Sequence, residues 1–299
     1  MHVFVTGATG LVGRALCADL VARGHAVTAL SRDPGVVRAP PGGARAVVGD
    51  PARAGPWLDA LARCDAAVLL AGEPVAGGRW TAARKARIER SRVDATRLVA
   101  EAIAAGGPSI LVAGSAVGFY GSRGDELLDE ASAPGQGFLA GVTRRWEEAA
   151  APAAARARVV RLRTGMVLAR GGGALPALVR PFRLFAGGPL GDGSAWQPWI
   201  HLADEVGLLR LALEDGRVVG PLVAAAPAPV RGRELASILG RVLRRPALLP
   251  VPRAALRLAL GELAEVVLAS QRVVPRRALE LGYRFRFPAL EPALRDLLR

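Results

Sequence analysis

Lysine, tyrosine, cysteine and histidine are all scarce in this 299-residue chain, and each shortage excludes a chemistry. Of the 40 basic residues, Lys85 is the single lysine, and the tyrosines are Tyr120 and Tyr283. No tyrosine therefore has a lysine four residues after it. Cys17 lies in a helical pattern and Cys64 just before a strand, so they make neither a metal spacing nor a disulfide framework, and a reducing compartment fits. His2, His25 and His201 stand far apart and point to no metal site. The longest weakly apolar run, Val218 to Val230, is short and broken by Gly220, Pro221, Pro227 and Pro229. It cannot span a bilayer. No signal-peptide pattern precedes the first apolar run, so a cytoplasmic location is expected.

Arginine, alanine and glycine are abundant instead, and the formal charge is +14. Such a charge invites a nucleic-acid reading. The arginines are scattered, however, and no nucleic-acid motif accompanies them, so no specific nucleic acid is expected. A hydrophobic content of 51% is ample for one large core or two lobes.

The chain begins with an apolar run, His2-Val3-Phe4-Val5-Thr6, followed by Gly7-Ala8-Thr9-Gly10-Leu11-Val12-Gly13 and a helical pattern carrying Ala15, Leu16, Leu20 and Val21 on one face. A strand that reverses into a helix beside a diphosphate needs this order. Gly7 takes the tight turn, Gly10 leaves room for the phosphates, and Gly13 lets the helix lie close on the sheet. The helix N-terminus then offers free N–H groups and the positive end of its dipole. With Val27-Thr28-Ala29-Leu30 as a second strand, this reads as a dinucleotide-binding βαβ unit. The second strand ends in Ser31-Arg32-Asp33. An acidic residue at this strand end suits a ribose 2′-OH, whereas an arginine suits a 2′-phosphate. Arg32, helped by Ser31, favours NADP(H) over NAD, with Asp33 as the residue that argues the other way.

Further strands are expected at 46–48, 67–70, 109–113 and 159–162, with helices at 56–62, 81–106 and 138–151. Strands and helices thus alternate to about residue 165. The expected fold is α/β, a Rossmann-type doubly wound, mostly parallel sheet. Ala71-Gly72-Glu73-Pro74 follows the fourth strand at its carboxyl end, where cofactors bind in such sheets. Beyond Thr164 the chain turns loop-rich, and residues 166–299 read as a smaller C-terminal α/β lobe covering the cofactor. Helices are expected at 205–214, capped by Asp204, at 232–243 and at 253–268, the last within a helical extension from about residue 245.

The glycine turn, Leu70-Ala71-Gly72-Glu73-Pro74, Arg79-Trp80, Ser91-Arg92, Gly114-Ser115 with Tyr120-Gly121, Trp146-Glu147, Arg163-Thr164-Gly165, Gly187-Gly188-Pro189, Trp199-Ile200-His201 and Gly282-Tyr283 form one pattern along the whole chain. It resembles the extended short-chain dehydrogenase/reductase superfamily, and within it the atypical epimerase-like, sugar-nucleotide epimerase branch with a C-terminal extension. The resemblance implies NADP(H) held by Gly7, Thr9, Gly10, Leu11, Val12 and Gly13, by Ser31 and Arg32, by Leu70, Ala71 and Gly72, and by Arg92.

Ordinary members use serine with a Tyr-x-x-x-Lys dyad, in which the ammonium lowers the phenol pKa. Here the corresponding helix carries Phe138 and Val142. Ser115 remains at the expected strand end, with Tyr120 nearby as a substitute phenol. Lys85 is read as solvated, Glu73 as an acid/base or a turn cap, and Trp196 and Trp199 as pocket wall. The expected function is an NADP(H)-binding epimerase or oxidoreductase acting on a small polar substrate, with a sugar nucleotide as one class. The alternative is an NADP(H) sensor or scaffold without turnover. The partner expected is a small molecule; a homodimer is left open.

Overall fold

The structure is a computed structural model that describes residues 1–37 and 41–299. Among the described residues, seven strands form one parallel sheet: β1 (His2–Thr6), β2 (Ala26–Ser31), β3 (Arg45–Val48), β4 (Ala66–Leu69), β5 (Ile110–Ala116), β6 (Arg158–Thr164) and a last strand at Gly220–Ala224. With the outer strands β7 (Met166–Ala169) and β8 (Trp199–His201) counted in chain order, the last strand is β9. The sheet order is β9-β6-β5-β4-β1-β2-β3, and every pairing in it is parallel. The order reverses between β1 and β4, the place where such sheets open a crevice for a ligand.

Both faces of the sheet are covered, so its strands are apolar throughout rather than alternating. Val3 and Val5 of β1 face one layer, with Leu16 and Leu20 of α1 (Leu11–Ala22) and Leu208, Leu209 and Ala212 of α6 (Leu202–Glu214). Phe4 faces the other, with Leu61 of α2 (Trp57–Ala62) and Val99 and Ile103 of α3 (Ala82–Ala105). Against α3 packs α4 (Phe138–Ala149), whose Trp146 donates to Thr96 at 2.9 Å. A second core unites α5 (Leu175–Arg183), α7 (Gly232–Leu243) and α11 (Leu290–Leu298) around Phe182, Leu239 and Leu294. Between α7 and α11 lie α8 (Arg253–Leu260), α9 (Leu263–Leu268) and α10 (Arg276–Glu280).

The chain does not leave the sheet at residue 165. It returns as β9, whose Gly220–Ala224 pairs with Val160–Thr164, and α6 belongs to the sheet layer beside α1. A division into 1–165 and 166–299 therefore cuts off the seventh strand. The helix expected across 253–268 is two helices, broken at Gly261 with φ +61°. Helix α6 starts at Leu202 rather than 205, and its cap is His201, not Asp204: the His201 Nδ1 accepts from Ala203 N at 3.0 Å.

Asp204 instead anchors the tail. It is 1% exposed, and its carboxylate accepts the backbone N–H groups of Arg286 at 2.7 Å and Phe287 at 2.9 Å. Tyr283 Oη lies 3.4 Å from the same carboxylate. One buried anion thus fastens the C-terminal tail to the sheet layer. Asp204→Ala leaves the buried Phe287 N–H and the half-buried Arg286 N–H unpaired, and the expected loss is about 2 kcal/mol of unfolding free energy. Urea unfolding checks this; a loss under about 0.5 kcal/mol would show that the tail is fastened elsewhere.

Candidate functional site

The carboxyl edge of the sheet gathers most of the residues singled out in the sequence. Gly7 has φ +70°, and a Cβ built on it would lie 2.6 Å from Leu70 C and Ala71 N. The end of β4 passes directly over the turn. Leu70 N donates to Thr6 O at 3.2 Å, and Ala71 N donates to Thr6 Oγ1 at 3.3 Å. A Cβ on Gly13 would fall 2.2 Å from Gly7 O, so the helix also needs glycine there. The turn closes with Gly10 N donating to Gly7 O at 3.0 Å. Thr9 and Gly10 are exposed, and Gly10 caps α1 without any side-chain hydrogen bond, so the first amides of α1 are open to a ligand. A diphosphate fits this cradle: a glycine backbone, exposed at Gly10, beside a helix N-terminus without a side-chain cap.

Gly72 continues the same surface. A Cβ there would meet the Arg92 guanidinium at 3.1–3.3 Å. Arg92 Nη1 donates to Glu73 O at 2.9 Å and to Ile88 O at 3.0 Å, which fixes its head against the turn after β4. Glu73 neither caps a turn nor stands free; its carboxylate lies 3.6 Å from Arg84. Gly7–Gly13, Leu70–Gly72 and Arg92 are thereby brought together. Ser31 and Arg32 stand at the end of β2, next to β1 in the sheet. Ser31 Oγ accepts from Asp33 N at 3.1 Å, and Asp33 Oδ1 accepts from Gly35 N at 2.8 Å. The Asp33 carboxylate is turned into its own loop, while Arg32 is exposed.

Arg14, which no sequence motif singles out, donates from Nε to Thr9 O at 2.7 Å and braces the turn. The sole sign of it in the sequence is a cation directly after the third glycine.

Ser115 and Tyr120 do not stand side by side at an open cleft. Ser115 is 4% exposed and Tyr120 is 0% exposed. The Ser115 hydroxyl donates to Glu147 Oε1 at 2.6 Å. Arg163 binds the same carboxylate through Nε at 2.8 Å and Nη2 at 2.9 Å, and donates from Nη1 to Tyr120 Oη at 3.1 Å. Tyr120 in turn donates to Asp129 O at 2.8 Å. The Arg163 guanidinium also lies 3.6 Å from the Phe119 ring centroid. Burial pushes the Tyr120 phenol up to about 12, against the pull of Arg163. A phenol held so high and sealed from the cleft is a poor acid/base near neutrality.

Thr164 follows Arg163, so its side chain leaves the opposite face of β6. It donates to Glu205 Oε1 at 2.7 Å, and Glu205 Oε2 has no partner among the described residues. Glu205 is 1% exposed, and burial raises its carboxyl to about 8. Of the tryptophans expected to wall a pocket, Trp199 is a core residue at 1% exposure. Trp196 lies between Arg231, 4.5 Å from its ring centroid, and Arg272, at 5.0 Å. Where the sequence places Phe138 instead of a tyrosine, its ring meets Trp80 edge-on at 5.1 Å and Lys85 Nζ at 5.3 Å. Lys85 is not simply solvated: it pairs with Glu262. Among the described residues, no three metal-ligating side chains come together and no helix is long and apolar enough to cross a membrane.

The parallel sheet with its strand-order reversal and glycine cradle defines a dinucleotide-binding Rossmann protein. Residues 3–223 match the NAD dependent epimerase/dehydratase family, and residues 251–297 match a domain of unknown function. The chain is 40% identical over 316 residues to the epimerase family protein SDR39U1 homolog, chloroplastic, of Arabidopsis thaliana, covering 100% of this chain and 87% of that protein. The crystal structure of human epimerase family protein SDR39U1 with NADPH superposes with a TM-score of 0.88 at 37% identity, covering 99% of each chain. A nucleoside-diphosphate sugar epimerase from Corynebacterium glutamicum gives 0.81 at 38% identity, covering all of this chain and 58% of that one. The chain belongs to the NAD dependent epimerase/dehydratase family. A chloroplastic relative means that this membership does not assign a cytoplasmic location.

Glu205 yields a pH signature. Its folded pKa, about 8, lies above the unfolded value of about 4.3. Its contribution to stability is therefore full below the unfolded value and is lost as pH rises through about 8. Glu205→Gln is expected to flatten the fall in unfolding free energy between about pH 5 and pH 9. Denaturant titrations at both ends test it; an equal fall in both proteins would place the ionisation elsewhere.

Proposed function

We propose that this chain is an NADPH-dependent oxidoreductase or epimerase acting on a small polar substrate, with sugar nucleotides as the leading class. The observation that carries the cofactor assignment is the end of β2. Arg32 is exposed there and suits a 2′-phosphate, while the competing carboxylate of Asp33 is held by Gly35 N. The human relative solved with NADPH supports the same choice, and the Corynebacterium relative named as a sugar epimerase supports the substrate class. The comparisons lend no support to a scaffold without turnover.

When bound, NADP(H) supplies hydride chemistry, and the chain supplies position and electrostatics. In this reading Gly7, Thr9, Gly10, Leu11, Val12 and Gly13 hold the diphosphate, and Ser31 and Arg32 the adenosine phosphate. Leu70, Ala71, Gly72 and Arg92 shape the turn beside it. Ser115 sits at the carboxyl end of β5 and is the hydroxyl assigned to the substrate, oriented from behind by Glu147. Tyr120 acts through Arg163 as a positioning residue, in keeping with its burial.

Arg32→Ala is expected to weaken NADPH by roughly 10- to 100-fold and NADH little, the size of a lost charge-assisted hydrogen bond. Fluorescence titration with both nucleotides decides it, and equal weakening would remove the 2′-phosphate assignment. For turnover, NADPH absorbance is followed over a panel of keto sugars and sugar nucleotides. Ser115→Ala is expected to lower kcat at least tenfold with NADPH affinity unchanged, whereas Tyr120→Phe keeps turnover and lowers stability by about 1 kcal/mol. Turnover lost in Tyr120→Phe but kept in Ser115→Ala would reverse these roles.

A further inference from the structure

The C-terminal segment reaches across the sheet to both loops that leave the carboxyl ends of β4 and β5. On the β5 side, Gln271 Nε2 donates to Val117 O at 2.9 Å and to Gly121 O at 2.8 Å. Ser270 O accepts from Arg123 N at 2.9 Å, and Ser270 Oγ donates to Gly124 O at 2.8 Å. On the β4 side, Arg79 Nη2 donates to Leu258 O at 2.6 Å, and Lys85 pairs with Glu262. Helix α8 buries Leu256, and α9 buries Leu263 and Ala264. So little apolar burial leaves these polar contacts to decide where the two helices lie.

The cation in this set is unusual for the chain. Every other basic residue is an arginine. An ammonium is a compact point charge with three donors, not a planar fork. Lys85 sits on the first turn of α3, so it projects from the carboxyl side of the sheet, where the turn after β4 also lies. Its Nζ stands over Phe138, the residue found where the resembled superfamily has its tyrosine. The Lys85 side chain is 28% exposed and that of Glu262 54% exposed. A pair this open holds α9 only weakly, enough to slow local exchange roughly a few-fold and little enough for an incoming oxyanion to displace.

We propose that residues 251–273 roof the substrate chamber, and that Lys85 receives an anionic substituent of the substrate, carboxylate or phosphate, with Glu262 as its counterion until the substrate arrives. This rests on the reading of the chain as an NADPH-dependent enzyme. The C-terminal domain then closes the cleft and keeps the substrate-binding cation masked. Arg79 and Arg84 flank the same mouth, but Arg79 is held by the Leu258 carbonyl and Arg84 by Glu73 and the Pro74 carbonyl.

The test uses the full chain loaded with NADPH, titrated calorimetrically with inorganic pyrophosphate and with succinate at about 0.15 M chloride, where scattered arginines are screened. Glu262→Gln is expected to bind one of the two anions roughly tenfold more tightly than the parent protein, and the anion that gains identifies the substituent. Adding Lys85→Gln removes the gain, and Lys85→Arg restores part of it. Hydrogen exchange across 254–268 speeds up in Glu262→Gln, while exchange in β1 and α1 stays as it was. The proposal is overturned if Glu262→Gln binds neither anion more tightly, if the gain survives Lys85→Gln, or if exchange across 254–268 is unchanged. NADPH is titrated first. Failure at that step sinks the functional reading, whereas intact NADPH binding with no anion effect sinks this proposal alone.

Discussion

The carboxyl edge of the sheet depends on a close approach between two pieces of backbone, the turn after β1 and the end of β4. Adjacent parallel strands end level, Thr6 opposite Leu69, so the chain leaving β4 must cross the turn leaving β1. At 2.6 Å from a would-be Cβ, the crossing chain leaves space for hydrogen and nothing larger at position 7. The same steric demand that selects Gly7 leaves the backbone bare toward the ligand. Fold and cradle are thus one constraint, and a side chain at this position would damage both.

The second constraint is electrostatic. Glu147 and Arg163 are each about 95% buried and tie α4, β5, β6 and the turn at 117–121 into one unit. Removing two charges from water is costly, and the fork-to-fork geometry with hydrogen bonds from Ser115 and to Tyr120 offsets that cost. Such a pair is weak evidence of stability and stronger evidence of fixed position. It sets where Ser115 and the strand ends lie. The helix that would carry a Tyr–Lys dyad still lies beside β5, but its charge sits deeper, at Glu147, behind the strand rather than in the cleft.

Local sequence carries the first half of the fold because each element there is short-range: the strand, turn and helix of residues 2–22 are contiguous and periodic. Features that depend on distant partners are not legible in it. β9 hides inside the Val218–Val230 run, where Gly220 and Pro221 read as breakers; pairing with β6 overrides them. β5 runs on through Ser115 and Ala116 because they pair with Arg163 and Thr164, although Gly114 interrupts the apolar pattern. The start of α6 escapes sequence rules because an imidazole is outside the usual set of caps. In the site, the glycine cradle and Arg32 are visible as motifs. The neighbours of Ser115 and of Lys85 are not, since Glu147, Arg163 and Glu262 look like ordinary surface charges in a chain this rich in arginine.

Two glutamates flank the ends of β5 and β6 with opposite electrostatic outcomes. Arg163 and Thr164 are consecutive, so one points to α4 and the other to α6. Glu147, on α4, has the Arg163 guanidinium against its carboxylate. Glu205, on α6, has one hydroxyl and an unpartnered oxygen, so burial wins and the acid is neutral at pH 7. The side-chain chemistry is identical; the difference is the identity of one strand residue. The carboxyl edge is therefore flanked by a compensated charge on one face and an uncharged acid on the other. Neither presents net charge to the cleft, which leaves the exposed cations around it to set the sign of what enters.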